Sequence, residues 1–437
     1  MASGLGSELR DAFRNLSLKG ASLGLERGCR LLVGVAAARV LGQATFGRFV
    51  FASTVTALLA LGTDLGLGVW TTRALARSRG DGDRVVRVGL ALRGLASLPY
   101  GLAIAGIAWV GVRGEERLAI ALLGVAALVN AFVDHVGAVL RGYERFPDEA
   151  RLNASRAFLT AVAGLVALTA GRSLAALCAA LAAAGLGALL YGLSKLFRLH
   201  PLRTESMPGA RADRAMARSA LAQSLPIWVA GLVSMLYFKV DTLFLRSMSG
   251  DAELGAYGAA FKLFEGAMIV PAILLAVAFP KLARAHTDDP PAQGRLERHL
   301  SVVLLVLGLV AGGTCFFGAT PLIHLIFGAT FGRAVDSVRV LALGLPLLYV
   351  NFGMTHFLVA RDLGRVTLWL ALMMLALNVG LDLALIPGKS GPGAAWATVL
   401  SEAALTAGCI VRLRMRGPPA RALPSAPRES RRDRRAA

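Results

Sequence analysis

The chain alternates long apolar runs with short polar connectors, and that pattern leaves few folds open to it. A bilayer core about 30 Å thick needs about 20 apolar residues per spanning helix. Runs of that kind recur at roughly 16–38, 45–72, 86–111, 117–140, 153–171, 173–196, 219–245, 254–280, 299–319, 334–359, 365–386 and 393–413. The reading is an all-α polytopic membrane protein with about twelve transmembrane helices. Composition agrees: 56% hydrophobic and 17% charged residues carry more apolar surface than a soluble domain of 437 residues hides. The fifth and sixth runs are the hardest to part, since Gly171-Arg172-Ser173 leaves little room for a turn.

A formal net charge of +20 raises the question of nucleic acid, but the basic residues sit at helix ends and in connectors, with no soluble domain to display them. Topology explains them, and no nucleic-acid partner is expected. Arg and Lys crowd the N-terminal tail, Arg73 to Arg87, Arg141 to Arg151, Lys195 to Arg218, Lys281 to Arg298, Arg361 to Arg365 and the C-terminal tail. The other connectors hold little beyond Arg39, Arg48, Arg113, Arg117, Arg172, Arg246, Arg333 and Lys389. By the positive-inside rule the first set is cytoplasmic, which puts both termini inside. Arg10, Arg14 and Lys19 precede the first helix without a small-residue cleavage site, so that helix is expected to stay uncleaved. Cys29, Cys178, Cys315 and Cys409 lie within apolar runs and read as small packing residues.

The stretch from Ala38 to Arg77 is a helix end, a glycine turn and a membrane-length helix. It returns about two hundred residues later: Gly250, Gly255 and Tyr257 copy Gly42, Gly47 and Phe49, and Leu282-Ala283-Arg284 copies Leu75-Ala76-Arg77. The expected organisation is a cytoplasmic tail (1–15), a six-helix lobe (16–197), a basic linker (198–218), a second six-helix lobe (219–413) and a polybasic tail (414–437). An even number of helices per half makes the repeat parallel, about an axis along the membrane normal, with substrate between the lobes. The tail, with Arg431-Arg432-Asp433-Arg434-Arg435, is expected to be disordered and to favour anionic lipid headgroups, or simply to solvate the terminus.

Ala38-Arg39-Val40-Leu41-Gly42 before the Phe46-Gly47 turn resembles the polysaccharide flippases of the multidrug, oligosaccharidyl-lipid and polysaccharide exporter (MOP) superfamily. Two more segments carry the resemblance: Asp241-Thr242-Leu243 with Gly255 to Ala260 and Phe279-Pro280, and Asn378 to Thr398 with Ile386-Pro387, Gly391 and Gly393-Ala394-Ala395. It extends over roughly 16–413. The resemblance implies a MATE-like, lipid-flippase-like pair of lobes related by a pseudo-two-fold. It implies a transporter, not an enzyme, that moves a polyprenyl-diphosphate-linked oligosaccharide across a bacterial inner membrane for cell-surface polysaccharide such as O-antigen of lipopolysaccharide. Implied partners are that lipid-linked glycan, membrane lipids, and polysaccharide polymerase and assembly proteins.

A charge in mid-membrane costs several kcal/mol and so faces a cavity or a partner. On the first helix Arg27 and Arg30 share a face and suit a diphosphate, which accepts bidentate hydrogen bonds from Arg. The alternative is an internal Glu26–Arg30 pair with Arg27 snorkelling. Asp64, among Gly62, Gly66 and Gly68, is expected to pair with Arg27 or Arg30, whereas Arg93 and Arg156 lie near cytoplasmic helix ends and are expected to snorkel. Asn130, Asp134 and Arg141 fall on one face of the fourth helix, beside His135, and read as an inter-helix network. Lys262 and Glu265 on the eighth helix either pair or leave Lys262 to face the cleft; the seventh carries Lys239 and Asp241. Asn378 and Asp382 share a face of the eleventh helix, and with Asp241 and Thr398 they offer an oxygen set for a coupling Na+ or H+, or else form a polar lock. The resemblance adds that some lipid-linked precursor flippases place a sodium site among helices seven, eleven and twelve. Interior prolines concentrate in the second half, so bending is expected there.

No GxxxxGKS or HExxH occurs, which speaks against an ATP-driven pump or a zinc hydrolase, and no other cofactor is expected. The alternatives are a multidrug or cation exporter of the same superfamily, a membrane glycan polymerase or ligase, and a non-transporting scaffold. Short outward connectors weigh against the polymerase and ligase, and two central arginines against a cationic-drug exporter.

Overall fold

The computed structural model describes residues 22, 24–78, 80–199, 210–361 and 363–415. Outside them lie the 1–15 tail, the central part of the inter-lobe linker with Pro201 and Pro208, and the polybasic tail from Arg416 onward. Among the described residues the chain is helical almost throughout and contains no strand.

The first half comprises α1 (24–41), α2 (Gln43–Asp64, resuming as Leu67–Arg77), α3 (Gly82–Gly106, drawn out by a π turn over Ile107–Gly111), α4 (Glu115–Gly142), α5 (Phe146–Ala170) and α6 (Leu174–Leu199). The second comprises α7 (210–249), α8 (251–288), α9 (Pro290–Phe317), α10 (Ala334–Ala360), α11 (364–389) and α12 (391–414). A short helix, Ala319–Ile326, and a 3-10 turn, Ala329–Phe331, fill the connector between α9 and α10. These are the twelve spans expected, in the expected order, and Gly171 to Ser173 does part α5 from α6, with Arg172 in the left-handed region at φ 43°.

Two boundaries move. α7 starts at 210, so the last part of the supposed linker is helix, its first turn carrying Asp213. α2 is not continuous either: Leu65 (φ 45°) and Gly66 (φ 74°) interrupt it, and Asp64 accepts from the Gly66 amide at 3.2 Å. The break reflects neighbours rather than local propensity. Trp228 of α7 donates its indole N–H to the Leu61 carbonyl (2.7 Å), which the Leu65 amide meets only at 3.4 Å.

The internal repeat survives in the backbone. Gly42 (φ 76°, ψ 170°) joins α1 to α2, and Gly250 (φ 86°, ψ 178°) joins α7 to α8 in nearly the same conformation. A side chain would be strained at both. Within the first lobe α4 packs on α6 and α2, and α5 on α6; within the second α10 packs on α9 and on the α11–α12 pair. α2 runs along α7 and α8 and joins the lobes. Outward-facing Leu102, Val110 and Phe317 are largely exposed, an apolar surface that a bilayer covers. Nine described helices are long and apolar enough to cross a membrane, two of them being the α7–α8 and α11–α12 pairs. The molecule is a multi-pass membrane protein.

Candidate functional site

A cavity of about 460 Å³ opens between the lobes, and a narrower one of about 180 Å³ adjoins it. Arg27 and Arg30 reach the larger cavity from α1, Lys239 from α7, and Lys262 and Glu265 from α8. The aliphatic stem of Lys262 crosses to α1, close enough that a Cβ on Gly34 would touch its Cε at 3.5 Å. Lys262 thus faces the cleft and pairs with Glu265 (2.7 Å); the two expectations for it are compatible.

Each lobe holds two cations on one carboxylate. In the first, Glu26 bonds Arg30 at 2.7 Å and Arg156 of α5 at 3.2 Å, and Arg156 also binds Asp134 of α4 at 2.6 Å. In the second, Glu265 bonds Lys262 at 2.7 Å and Lys239 at 3.0 Å. In the second lobe one carboxylate cannot neutralise two lysines, whereas in the first Glu26 and Asp134 match Arg30 and Arg156. Among the described residues, four basic groups and one acidic group line the larger cavity. A charge-assisted hydrogen bond contributes about 1.5–3 kcal/mol, so the surplus suits a multiply charged anion.

Several intramembrane charges sit elsewhere than expected. Asp64 pairs with neither Arg27 nor Arg30 but with Arg93 of α3, which also donates to the Ala131 carbonyl of α4. Arg93 does not snorkel; it is 1% exposed, wedged between α2, α3 and α4. The broken end of α2 explains the exchange, because it carries the Asp64 carboxylate toward α3. Arg156 does not snorkel either, since it is the hub of the Glu26–Arg156–Asp134 chain. The stripe on α4 divides: Asp134 and Arg141 pair across to α5 (Arg156, and Glu149 at 2.5 Å), while Asn130 bonds back to Ala126 on its own helix. His135 is buried, and neither ring nitrogen has a hydrogen-bond partner among the described residues.

Inside the second lobe Asp241 accepts from the Tyr257 hydroxyl (2.5 Å) and the Thr242 amide (2.7 Å). Asp382 is fully buried with neither carboxylate oxygen partnered among the described residues, and Asn378 Oδ1 is in the same position. Asp241 on α7 and Asp382 on α11 are thus two buried carboxylates of this lobe. Buried Thr398 donates to Ala394 on α12. An unpartnered buried carboxylate is costly and calls for a proton or a cation.

The sequence profile described as polysaccharide biosynthesis protein matches residues 13–286, more than half of the chain. The chain belongs to that family. No curated protein matches it. Among solved structures it is similar to an inward-facing multidrug resistance MATE transporter of the MOP superfamily, at 15% identity over 89% of this chain and 94% of the other, TM-score 0.74. It is also similar to the lipid II flippase MurJ in an inward closed conformation, at 14% identity over 90% and 86%, TM-score 0.72. A MOP superfamily transporter from Pyrococcus furiosus aligns at 14% identity over 92% and 95%, TM-score 0.63. Such likenesses establish the MATE-like and MurJ-like fold.

In this polysaccharide biosynthesis protein, sequence reasoning passed over Lys239 as a cavity residue and Arg93 and Arg156 as anchors. Lys239 is two residues from Asp241 on α7, on a different face, and only its cation–π contact with Phe261 (5.2 Å) and its bond to Glu265 turn it to the cleft. Arg93 and Arg156 carried one usable signal, a charge inside an apolar run, which their nearness to a helix end masked.

Proposed function

We propose that this protein flips a polyprenyl-diphosphate-linked oligosaccharide from the inner to the outer leaflet of a bacterial plasma membrane, its two lobes alternating access to the central cavity. The observation that supports this is the surplus of cations between the lobes: Arg27 and Arg30 against Lys239 and Lys262, with Glu265 shared. Diphosphate presents enough acceptor oxygens to engage guanidinium groups from one lobe and ammonium groups from the other. The sugar occupies the cavity while the lipid tail stays in the bilayer.

Asp241, Asn378, Asp382 and Thr398 hold the coupling Na+ or H+, in keeping with the unpartnered oxygens of Asp382 and Asn378. By the distribution of positive charge both termini are cytoplasmic, and the end of the molecule at Gly42 and Gly250 faces outward. Polysaccharide polymerase and assembly proteins receive the flipped unit.

The test is a deletion strain complemented with wild type or with Arg27→Ala/Arg30→Ala, from which lipid-linked oligosaccharides are extracted and assigned to a leaflet. Complete units accumulating on the cytoplasmic face, rescued by wild type and not by the double variant, is the expected result. Outward units with altered polymer would point instead to a polymerase, ligase or scaffold.

A further inference from the structure

A further cavity, of about 280 Å³ and lined mainly by apolar surface, lies within the second lobe between α7, α10, α11 and α12. At its inner wall is Glu402, which the site described above does not use. Its side chain is 2% exposed and receives two neutral donors: the Tyr237 hydroxyl on Oε1 (2.9 Å) and the Asn351 amide on Oε2 (2.7 Å). Asn351 is fixed in that orientation, since its Oδ1 accepts from Thr406 (2.8 Å) and its Nδ2 also donates to the Glu402 carbonyl (2.8 Å).

We propose that Glu402 is a proton-binding site, reached through this cavity and separate from the Asp241–Asp382 pair. Three observations carry it. First, among the described residues no Lys, Arg or His forms an ion pair with Glu402, a state it shares in this lobe with buried Asp241 and Asp382, whereas Glu265 and Glu297 are paired. Two neutral donors offset only part of the cost of burying an unpaired carboxylate, and a proton removes the rest. Second, the Asn351 N–H at Oε2 repels a metal cation and suits the carbonyl oxygen of a protonated acid, while the Tyr237 hydroxyl at Oε1 is a rotor whose oxygen accepts the acid's O–H when its own proton turns away. Ser234 and Thr355, which also line the cavity, spend their hydroxyl protons on helix carbonyls, so their remaining lone pairs are free to accept from water that enters the cavity. Third, the cavity runs past Thr355 to Thr367, close to the α10 terminus at Ala360 and the α11 start at Gly364, which gives the proton a way in from that end.

Among the titratable groups on the surrounding elements are Tyr237 and Asp241 on α7, Tyr349 and His356 on α10, Asp382 on α11 and Cys409 on α12, with Asp336, Arg339, Arg365, Lys389, Arg412 and Arg414 toward the helix ends. Lys239 on α7 is occupied by Glu265, and His356 lies with Nδ1 2.7 Å from the Phe352 carbonyl and its ring against Phe279. The hydrogen-bond partners of the carboxylate are Tyr237 and Asn351, and none of Asp241, Asn378, Asp382 or Thr398 is among them. Tyr237 stands one helical turn before Asp241, so a Glu402 that gains and loses a proton also alters the donor beside the other acid pair.

The experiment is pH-difference infrared spectroscopy on the full-length protein reconstituted in liposomes, which needs no glycolipid and so stands or falls apart from the flippase reading. Wild type is expected to show a protonated-carboxyl C=O band that disappears as pH rises. Glu402→Gln, which keeps the shape and one hydrogen-bond acceptor, loses that band, and Asp382→Asn retains it. Tyr237→Phe, which removes one donor, moves the band to higher frequency, and saturating Na+ at constant pH leaves it in place. A Glu402→Gln spectrum identical to wild type, a band unmoved in Tyr237→Phe, or a band abolished by Na+ would each overturn the proposal.

Discussion

Gly47 and Gly255, at corresponding positions of the two halves, lie face to face where α2 meets α8. A Cβ on Gly47 would fall 1.9 Å from the Asp251 carbonyl oxygen, and one on Gly255 would fall 1.9 Å from the Gln43 carbonyl oxygen. The contact is reciprocal because Gln43 and Asp251 are themselves corresponding residues, each following the glycine that starts its helix. Gln43 donates across to the Ala252 carbonyl (2.9 Å), Arg48 pairs with Asp251 (2.9 Å), and Arg246 bridges Asp251 (3.1 Å) and Glu116 (2.5 Å). Backbones this close cannot admit even a methyl group unless the lobes part.

Gly47→Val is therefore expected to open this end of the molecule. With the four native cysteines replaced, a Gln43→Cys/Ala252→Cys pair should crosslink readily in the wild-type background and several-fold more slowly with valine at 47. An unchanged crosslinking rate would show that the lobes reach this contact by another route.

Arg93→Ala should destabilise the first lobe. Breaking a fully buried ion pair costs about 3–5 kcal/mol, and since the Asp64 side chain is 40% exposed the expected loss is smaller, roughly 2 kcal/mol after screening. Heating detergent-solubilised protein and following the monodisperse fraction by size exclusion would show a midpoint several degrees lower. Arg27→Ala, at an exposed cavity position, should leave that midpoint near wild type.

Lys239→Ala should weaken binding of a short-chain polyprenyl-diphosphate sugar by about tenfold, the value of one charge-assisted hydrogen bond. Glu265→Gln tests the same point in the opposite direction. It releases both lysines from their shared carboxylate and should tighten binding of the same ligand, measured by calorimetry on reconstituted protein.

Asp382→Asn should abolish any stabilisation by Na+. If the ion binds at Asp382, a hundredfold excess over Kd raises wild-type stability by about 2.7 kcal/mol, and the variant shows none of it. A wild-type melting curve indifferent to Na+ would leave the proton, or the polar lock, as the occupant.

The hydropathy pattern placed all twelve spans because each must present about 20 apolar residues to lipid whatever its neighbours are. The repeat was legible for a related reason: Gly42 and Gly250 mark turns with positive φ, where few other residues fit. That Asn378 and Asp382 share one face of α11 could be read from spacing alone, since they are four residues apart. Glu402 had no comparable signal. Its partners, Tyr237 and Asn351, are 165 and 51 residues away, and nothing in the α12 run distinguishes it from a charge at a helix end.

The sequence by itself thus determined how many helices there are, where they turn, that the halves are related, and which residue types are available inside the bilayer. Only the tertiary structure decided which cation meets which carboxylate: Asp64 with Arg93 rather than α1, Glu26 shared by Arg30 and Arg156, and Glu265 by Lys239 and Lys262. The reason is physical. Burial in lipid acts on each segment separately and is written locally, whereas ion pairs depend on where packing carries side chains that lie as many as 203 positions apart, as in Arg48 and Asp251. The interruption of α2 at Leu65 and Gly66 belongs to the same class, since Trp228 from the other lobe supplies the shorter of the two bonds to the Leu61 carbonyl there.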